Sequence, residues 1–512
     1  MLSVTDRLQS LYASNRPPSP QEASAAAELL QVCDRKLQVV DTRITALERE
    51  LEELKAQRSI IEGERHRYVD ILSARRLLPP EIIGRFMESA CMNDNDDDSE
   101  SSQSLGTHHQ GLPYMLVSRE WYRTACGVAH FWTELDMDLT NSSAEEIQEI
   151  FLKATNRSAR AAEIPLSLKI AFSAAAPSST QIVDFIHSLI SRLGHITLRL
   201  YVDSISDLQI LNSLFHNPPS SSTLLWPTLH TLQIFIQSVD RIAAESELSI
   251  PSANFPLLRT AAISLLGVVF PSYQMPCSDL IRLDLGPLSE LTSPKYVHIL
   301  GTCTNLRSLR LRMQCLYRVF DDTDNIAIIL PHLTHLHIES PAKEEPGRSL
   351  LPLQLPSLQS CIYTTSTSGC YYCPIIAQLT RLFARSGCSE SMEYLELDLG
   401  FEAFYRVGDL DDLLLEVPCL TALKLSGFRM EMHALRNVPL SVRELSINLS
   451  RHILDESRGA FVKYLYSRFD ASPDDPLKAR LHFVDTRYTF AVRERLESLK
   501  NKVGSSLDAV MD

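Results

Sequence analysis

Leu280-Ile281-Arg282-Leu283-Asp284-Leu285 and Leu306-Arg307-Ser308-Leu309-Arg310-Leu311 are two copies of one pattern, apolar-x-x-apolar-x-apolar, and that pattern decides the fold. The end of each copy alternates, with apolar side chains on one face and polar ones on the other, as a half-buried strand requires. Further copies are Leu333-x-x-Leu336-x-Ile338, Met392-x-x-Leu395-x-Leu397, Leu420-x-x-Leu423-x-Leu425 and Val442-x-x-Leu445-x-Ile447, and weaker ones begin at Leu193, Leu229, Leu258 and Leu358. From Leu229 onward the starts are 29, 22, 26, 27, 25, 34, 28 and 22 residues apart. A unit of that length is one strand plus a return segment, and it cannot bury its apolar strand without stacked neighbours. Several copies follow a proline, as in Trp226-Pro227, Phe255-Pro256, Leu330-Pro331, Leu355-Pro356 and Val417-Pro418, where the preceding segment ends and a strand starts afresh.

This pattern, at this period, resembles the leucine-rich repeat. The resemblance implies an α/β solenoid over residues 141–449, with parallel strands on a concave face and helices or loops outside. A generic layer of parallel strands shares the local pattern but hardly so many evenly spaced copies. The Asn or Cys that usually follows the strand is replaced by Leu288, Gln314, Pro341, Gly400 and Phe428, so a broken side-chain ladder and an irregular solenoid are expected. Strand positions between the apolar ones face outward and are candidates for binding a target: Arg282, Asp284, Arg307, Arg310, His335, His337, Glu396, Asp398 and Lys424. They present basic, His-rich and acidic patches in turn, which suits a polar peptide or protein surface. A solvated strand face has to carry polar residues in any case.

Upstream stand Leu78-Pro79-Pro80-Glu81-Ile82-Ile83, then Val117-Ser118-Arg119-Glu120-Trp121, then Phe131-Trp132-Thr133-Glu134-Leu135. Pro79 and Pro80 fit the entry and first turn of a helix, where a missing N–H costs little. Ile82, Ile83, Phe86 and Met87 recur at helical spacing as one apolar stripe, and Glu81 sits near the positive end of the helix dipole. These three sub-motifs, in this order, resemble an F-box over residues 76–140. The resemblance implies a three-helix unit docking the Skp-type adaptor of a cullin-RING ubiquitin ligase through Leu78, Pro79, Glu81, Ile82, Ile83, Phe86, Val117, Trp121 and Trp132. Ser118 stands where the family usually has Cys. Inside the motif runs Asn93-Asp94-Asn95-Asp96-Asp97-Asp98-Ser99-Glu100, a block of like charge that favours disorder, so residues 92–111 read as a solvated loop. The run lacks the Gly and Glu placement of a calcium-binding EF-hand loop.

Residues 24–75 carry a heptad, with Leu30, Leu37, Ile44 and Leu51 on one seam and Cys33, Val40, Leu47, Leu54 and Ile61 on the other. Charges such as Glu48, Arg49, Glu52 and Lys55 lie between the seams, as in a coiled coil. Arg58 and Arg65 break the pattern, which limits pairing to residues 24–61. A homodimer and a single helix folded back on the same chain both fit. A coiled coil leading into an F-box resembles the large F-box families of mushroom-forming fungi.

Composition fits this organisation. The 512 residues are 45% hydrophobic and 22% charged, and a net charge of −14 argues against a nucleic-acid-binding surface. The start Met1-Leu2-Ser3-Val4-Thr5-Asp6 has no apolar leader, and no apolar run approaches the ~20 residues that span a bilayer, so no membrane partner and a cytoplasmic or nuclear location are expected. Eleven scattered cysteines are expected to be reduced. There is no Gly-x-Ser-x-Gly, phosphate loop or His-Glu-x-x-His, and Cys370-x-x-Cys373 lacks a second pair at zinc spacing, since Cys361 and Cys388 fall elsewhere. No enzyme, cofactor or metal is expected. Residues 1–23 read as disordered, and residues 450–512 as a cap and tail, with a helical stretch at Phe490–Leu496 and a disordered final dozen. The expected function is a substrate-recognition subunit of a ubiquitin ligase; the competing class is a scaffold with a degenerate F-box and a dimerising coiled coil.

Overall fold

The computed structural model describes residues 17–72, 78–93, 116–173, 179–202, 209–216, 226–243, 248–269, 273–275, 277–288, 293–312, 327–340, 350, 352–365, 375–403, 408–428, 438–449, 464, 468, 478–483 and 507–511. Two compact units divide the chain, Met1–Phe86 and Met87–Asp512. Residues 1–16, the acidic run from 94 to 111, Cys370, Cys373 and Phe490–Leu496 lie outside the described residues.

The first unit is dominated by α1 (Pro20–Ile71), an uninterrupted helix of 52 residues, about 78 Å long at 1.5 Å per residue. It starts before residue 24 because Ser19 and Glu22 cap it reciprocally. Glu22 N donates to Ser19 Oγ at 3.3 Å, and Ser19 N donates to Glu22 Oε2 at 2.9 Å. Both heptad seams are exposed: Leu30, Leu37, Ile44 and Leu51 on one, Val40, Leu47, Leu54 and Ile61 on the other. Lys55–Glu52 and Arg58–Glu62 pair along the surface. Next comes α2 (Pro80–Asn93).

In the second unit, α3 (Arg119–Gly127) is capped by Ser118, whose Oγ accepts from Trp121 N at 3.2 Å. A single 3-10 turn, Ala129–Trp132, then leads straight into β1 (Glu134–Asp138). The third apolar group of the segment 76–140 is therefore a turn and a strand rather than a helix. The reason is local: Leu135 and Met137 are buried and alternate with exposed Asp136 and Asp138, a period of two that a helix cannot use.

From β1 the chain builds one all-parallel sheet, in which fourteen described strands lie in strict chain order. The others are β2 (Leu166–Ser173), β3 (Leu193–Tyr201), β4 (Thr231–Ala243), β5 (Thr260–Val269), β6 (Arg282–Leu288), β7 (Ser308–Arg312), β8 (His335–Ser340), β9 (Ser360–Thr365), β10 (Tyr394–Ala403), β11 (Ala422–Phe428), β12 (Glu444–Leu449), β13 (Lys478–Phe483) and β14 (Leu507–Met511). The last two extend the array past Leu449, so the final dozen residues hold a strand where disorder is expected. Register aligns Leu283, Leu309, Leu336, Cys361, Leu395, Leu423 and Leu445 in one buried row, and Leu285, Leu311, Ile338, Tyr363, Leu397, Leu425 and Ile447 in the next.

Behind these rows lie the return segments. They include α4 (Ala144–Arg160), α5 (Ser179–Leu189), α6 (Gln209–His216), α7 (Ser293–Thr302), α8 (Ile375–Ser386) and α9 (Asp409–Leu415), whose apolar stripes join the same core. Amphipathic α8 buries Ile375, Ile376, Leu379, Leu382 and Phe383. Elsewhere the return holds a two-residue strand, so that Leu248–Ser249 pairs with Tyr273–Gln274 and Ile328–Ile329 with Leu353–Gln354. Trp226 is fully buried, stacked on Phe255 at 5.8 Å between ring centroids, with Phe215 6.2 Å away.

Strand entry is the most regular part of the array. Leu258 N donates to Phe255 O, Leu280 N to Cys277 O, Leu306 N to Cys303 O, Leu333 N to Leu330 O, Leu358 N to Leu355 O and Leu420 N to Val417 O, each closing a four-residue turn. Proline fills the second position at Pro256, Pro331, Pro356 and Pro418, where its fixed φ suits a turn. Side chains link neighbouring turns. Ser357 Oγ donates to Pro331 O at 2.7 Å, Ser391 Oγ to Leu358 O at 2.9 Å, Ser441 Oγ to Leu420 O at 2.7 Å, and Asn305 Nδ2 to Ser278 O at 2.8 Å. Among the described residues a side-chain ladder thus exists at the strand entry.

Candidate functional site

The residues singled out by sequence fall into two groups. The first lies on α2 and, in the second unit, between residues 117 and 132. Ile83 and Met87 are 1% and 0% exposed, whereas Ile82 and Phe86 are 49% and 60% exposed. What the sequence reads as one stripe is therefore two, a buried pair and an outward pair, about 100° apart on the helix. Leu78, Pro79, Glu81 and Val117 are also exposed, and Trp121 is half-buried. Trp132 is held differently: the guanidinium carbons of Arg157 and Arg160 lie 5.9 and 4.6 Å from its ring centre. Arg157 Nη2 also donates to Phe131 O at 3.1 Å, fixing the turn that carries Trp132.

The second centres on the face of the sheet opposite the buried rows. Register sets Asp284, Arg310 and His337 side by side, and Glu396 beside Lys424. Arg310 and Arg312 are bracketed by Asp284 and Glu339. Arg310 Nε donates to Glu339 Oε1 at 2.9 Å and its Nη2 pairs with the same oxygen, Arg312 Nε lies 3.1 Å from Glu339 Oε2, and Arg312 Nη2 lies 3.5 Å from Asp284 Oδ2. His337 Nε2 is 3.2 Å from Thr364 Oγ1. Lys424 Nζ reaches Glu396 Oε1 at 2.5 Å, and Tyr394 OH donates to Glu396 Oε2 at 2.6 Å. Burial and then the Glu396 carboxylate push the Tyr394 phenol above its ordinary range. Arg282, Arg307 and His335 are exposed, and Asp398 is half-buried. Arg312 and Glu339 escape the sequence reading because it ends those two copies at Leu311 and Ile338; one residue further, as taken at Asp398, finds both.

Nearer the start of the sheet, the His195 ring stands 3.0 Å from Thr197 Oγ1, which donates to Gln233 Oε1 at 3.1 Å. Burial, helped by Lys169, lowers the His195 pKa from 6.5 to about 4. The folded state therefore holds the ring neutral, while the unfolded chain takes up a proton below pH 6.5. Stability from this site is complete above pH 6.5 and is lost as pH falls toward 4, by up to about 3 kcal/mol. Urea midpoints measured across that window are expected to slope less steeply in His195→Gln than in the wild type; parallel slopes would remove His195 as the cause.

Cys361 and Cys388 lie in the core, and burial pushes the Cys388 thiol up to about 11. Among the described residues no three His, Cys, Asp or Glu side chains are grouped to hold a metal ion, and no helix is long and apolar enough to cross a membrane. No protein-family model matches the chain, and no curated protein matches it in sequence.

Proposed function

We propose that this chain is an F-box substrate receptor, with α2 and its flanking residues docking a Skp-type adaptor of a cullin-RING ubiquitin ligase and a leucine-rich-repeat sheet presenting a target. It performs no chemistry itself; its contribution is proximity. The observation that carries the reading is the outward pair Ile82 and Phe86 on a helix opened by Leu78-Pro79-x-Glu81, half-exposed apolar side chains that call for a partner surface. The test is co-purification of the full chain with a Skp-type adaptor. A stoichiometric complex is expected, and a folded chain that captures no adaptor would overturn the reading.

A second reading, a non-ligase scaffold, is favoured by two observations. The sheet begins at Glu134, one 3-10 turn after Gly127, where the family motif closes with a helix. In addition, α1 exposes a heptad seam. Both readings use α1 for pairing with a second copy. Each Leu or Ile buried in such a seam contributes about 1.5–3 kcal/mol, so Leu37→Asp/Ile44→Asp is expected to raise the dimer dissociation constant at least ~100-fold. Sedimentation should then show the wild type as a dimer and the variant as a monomer. A monomeric wild type would mean that the seam does not pair between chains.

A further inference from the structure

The open face of the sheet is not uniformly polar. Counting the open face together with the residue that enters each strand, Arg282, Asp284, Arg307, Arg310, Arg312 and Glu339 give β6 to β8 two net positive charges with the histidines neutral. Over the matching rows at the start of β10 to β12, the entering residues Glu393 and Arg443 and the strand residues Glu396, Asp398, Lys424 and Glu444 sum to two net negative charges. Between them β9 contributes only Ser360, Ile362 and Thr364. Ile362 is aligned with His337 on one side and Glu396 on the other, a half-exposed apolar side chain in an otherwise polar row. The face is thus a fixed electric dipole with an apolar centre.

Its charges are positioned in advance. Arg310 and Arg312 are 19% and 24% exposed and are held by Asp284 and Glu339, so neither needs to be ordered by a partner. Arg282 on the same face and Arg307 at its strand-entry rim are exposed and carry no ion pair among the described residues, which makes them the cations an incoming carboxylate meets first. On the far side Glu396 is occupied by Lys424 and Tyr394, while Glu393, at the strand-entry rim just before β10, is exposed and without an ion pair among the described residues.

We infer that this face takes an extended polypeptide segment lying across the strands, with acidic side chains over β7, basic side chains over β10 and an apolar side chain on Ile362. The inference rests on the proposal that the sheet presents a target, and it states that target's chemistry. Three strand spacings of about 4.8 Å separate β7 from β10, roughly 14 Å, which an extended chain covers in about four residues. A nucleic acid or a uniformly acidic peptide would meet the carboxylates of β10. A uniformly basic one would meet the arginines of β7. Mixed charge at the matching spacing satisfies both halves, and complementarity of this kind selects partners more than it raises affinity.

The test uses the full-length chain and fluorescein-labelled probe peptides carrying an Asp pair and a Lys pair, with a central Leu, separated by spacers shorter than, equal to or longer than about four residues. Fluorescence anisotropy is expected to give about tenfold tighter binding for the matched spacer than for the other spacers or for all-Asp and all-Lys peptides. Arg307→Glu should lose the mixed peptide and gain the all-Lys one, and Glu393→Lys should lose it and gain the all-Asp one. Both positions are exposed, and unchanged thermal melts would verify that the variants fold. Affinity that ignores spacing, a mixed peptide indifferent to Arg307→Glu, or no binding by any probe would overturn the inference. Adaptor capture is measured on the same variants. Peptide selection without adaptor capture sinks the ligase reading alone, and adaptor capture without peptide selection sinks this inference alone.

Discussion

Replacing Leu78 and Ile82 with Ala is expected to abolish adaptor capture while leaving the sheet folded. The asymmetry follows from exposure. Ile82 is 49% and Leu78 36% exposed in the free chain, so truncating them costs the fold far less than truncating a fully buried neighbour. A complex that covers them buries only the exposed share, so each forfeits about 1–2 kcal/mol of apolar burial. Together the two changes weaken docking by about a hundredfold, enough to lose the complex in a pull-down. Ile83→Ala is the contrasting control, because Ile83 is 1% exposed and its truncation opens a cavity in the folded chain. Thermal melts should therefore drop for Ile83→Ala and stay put for the double variant. Undiminished capture by Leu78→Ala/Ile82→Ala would end the docking role of this helix.

Trp226→Ala should be the most damaging single core substitution. The ring is 0% exposed and packs on Phe255 at 5.8 Å and Phe215 at 6.2 Å, so its removal leaves a cavity among aromatic side chains that cannot close around it. Losses of about 3–5 kcal/mol are typical of such truncations. In a stack where each unit touches only its neighbours, the damage should stay local. Hydrogen exchange is expected to show the amides of β3 to β5 losing protection well before those of β10 to β12. A variant that melts like the wild type, or one that loses protection everywhere at once, would contradict this account. Trp226→Phe should recover much of the loss by keeping a stacked ring.

Much of the array is legible in the sequence. Every copy from Leu193 to Val442 corresponds to a strand, because burial on one face leaves a period of two that propensity alone could not supply. The strands missed lack the full triplet. Glu134-Leu135-Asp136-Met137-Asp138 offers only two apolar residues, Leu166, Leu168 and Ile170 alternate without the two-residue gap, and Lys478–Phe483 has Pro476 and Ala479 where the pattern has two large apolar residues. The prolines are visible in sequence, but their place in a hydrogen-bonded turn depends on carbonyls three residues away, and the cross-links from Ser357, Ser391 and Ser441 depend on a neighbour more than twenty residues distant. The same distance hides the partnership of Arg310 with Glu339. It also hides how Ile82, Ile83, Phe86 and Met87 divide, since helical spacing admits all four and only tertiary packing decides which two face inward.

The strict chain order of the sheet has a consequence for how the protein is made. A nascent chain leaving the ribosome needs no segment from its far end to complete any strand pair: β2 has β1 to lie against, β3 has β2, and so on to β14. Each finished unit is the template for the one still being synthesised. Translation can therefore proceed as a zipper, with the exposed edge always the youngest strand and never more than one return segment of apolar sequence waiting for cover. A pause in elongation would halt such a zipper at a shorter version of the same architecture rather than in a tangle.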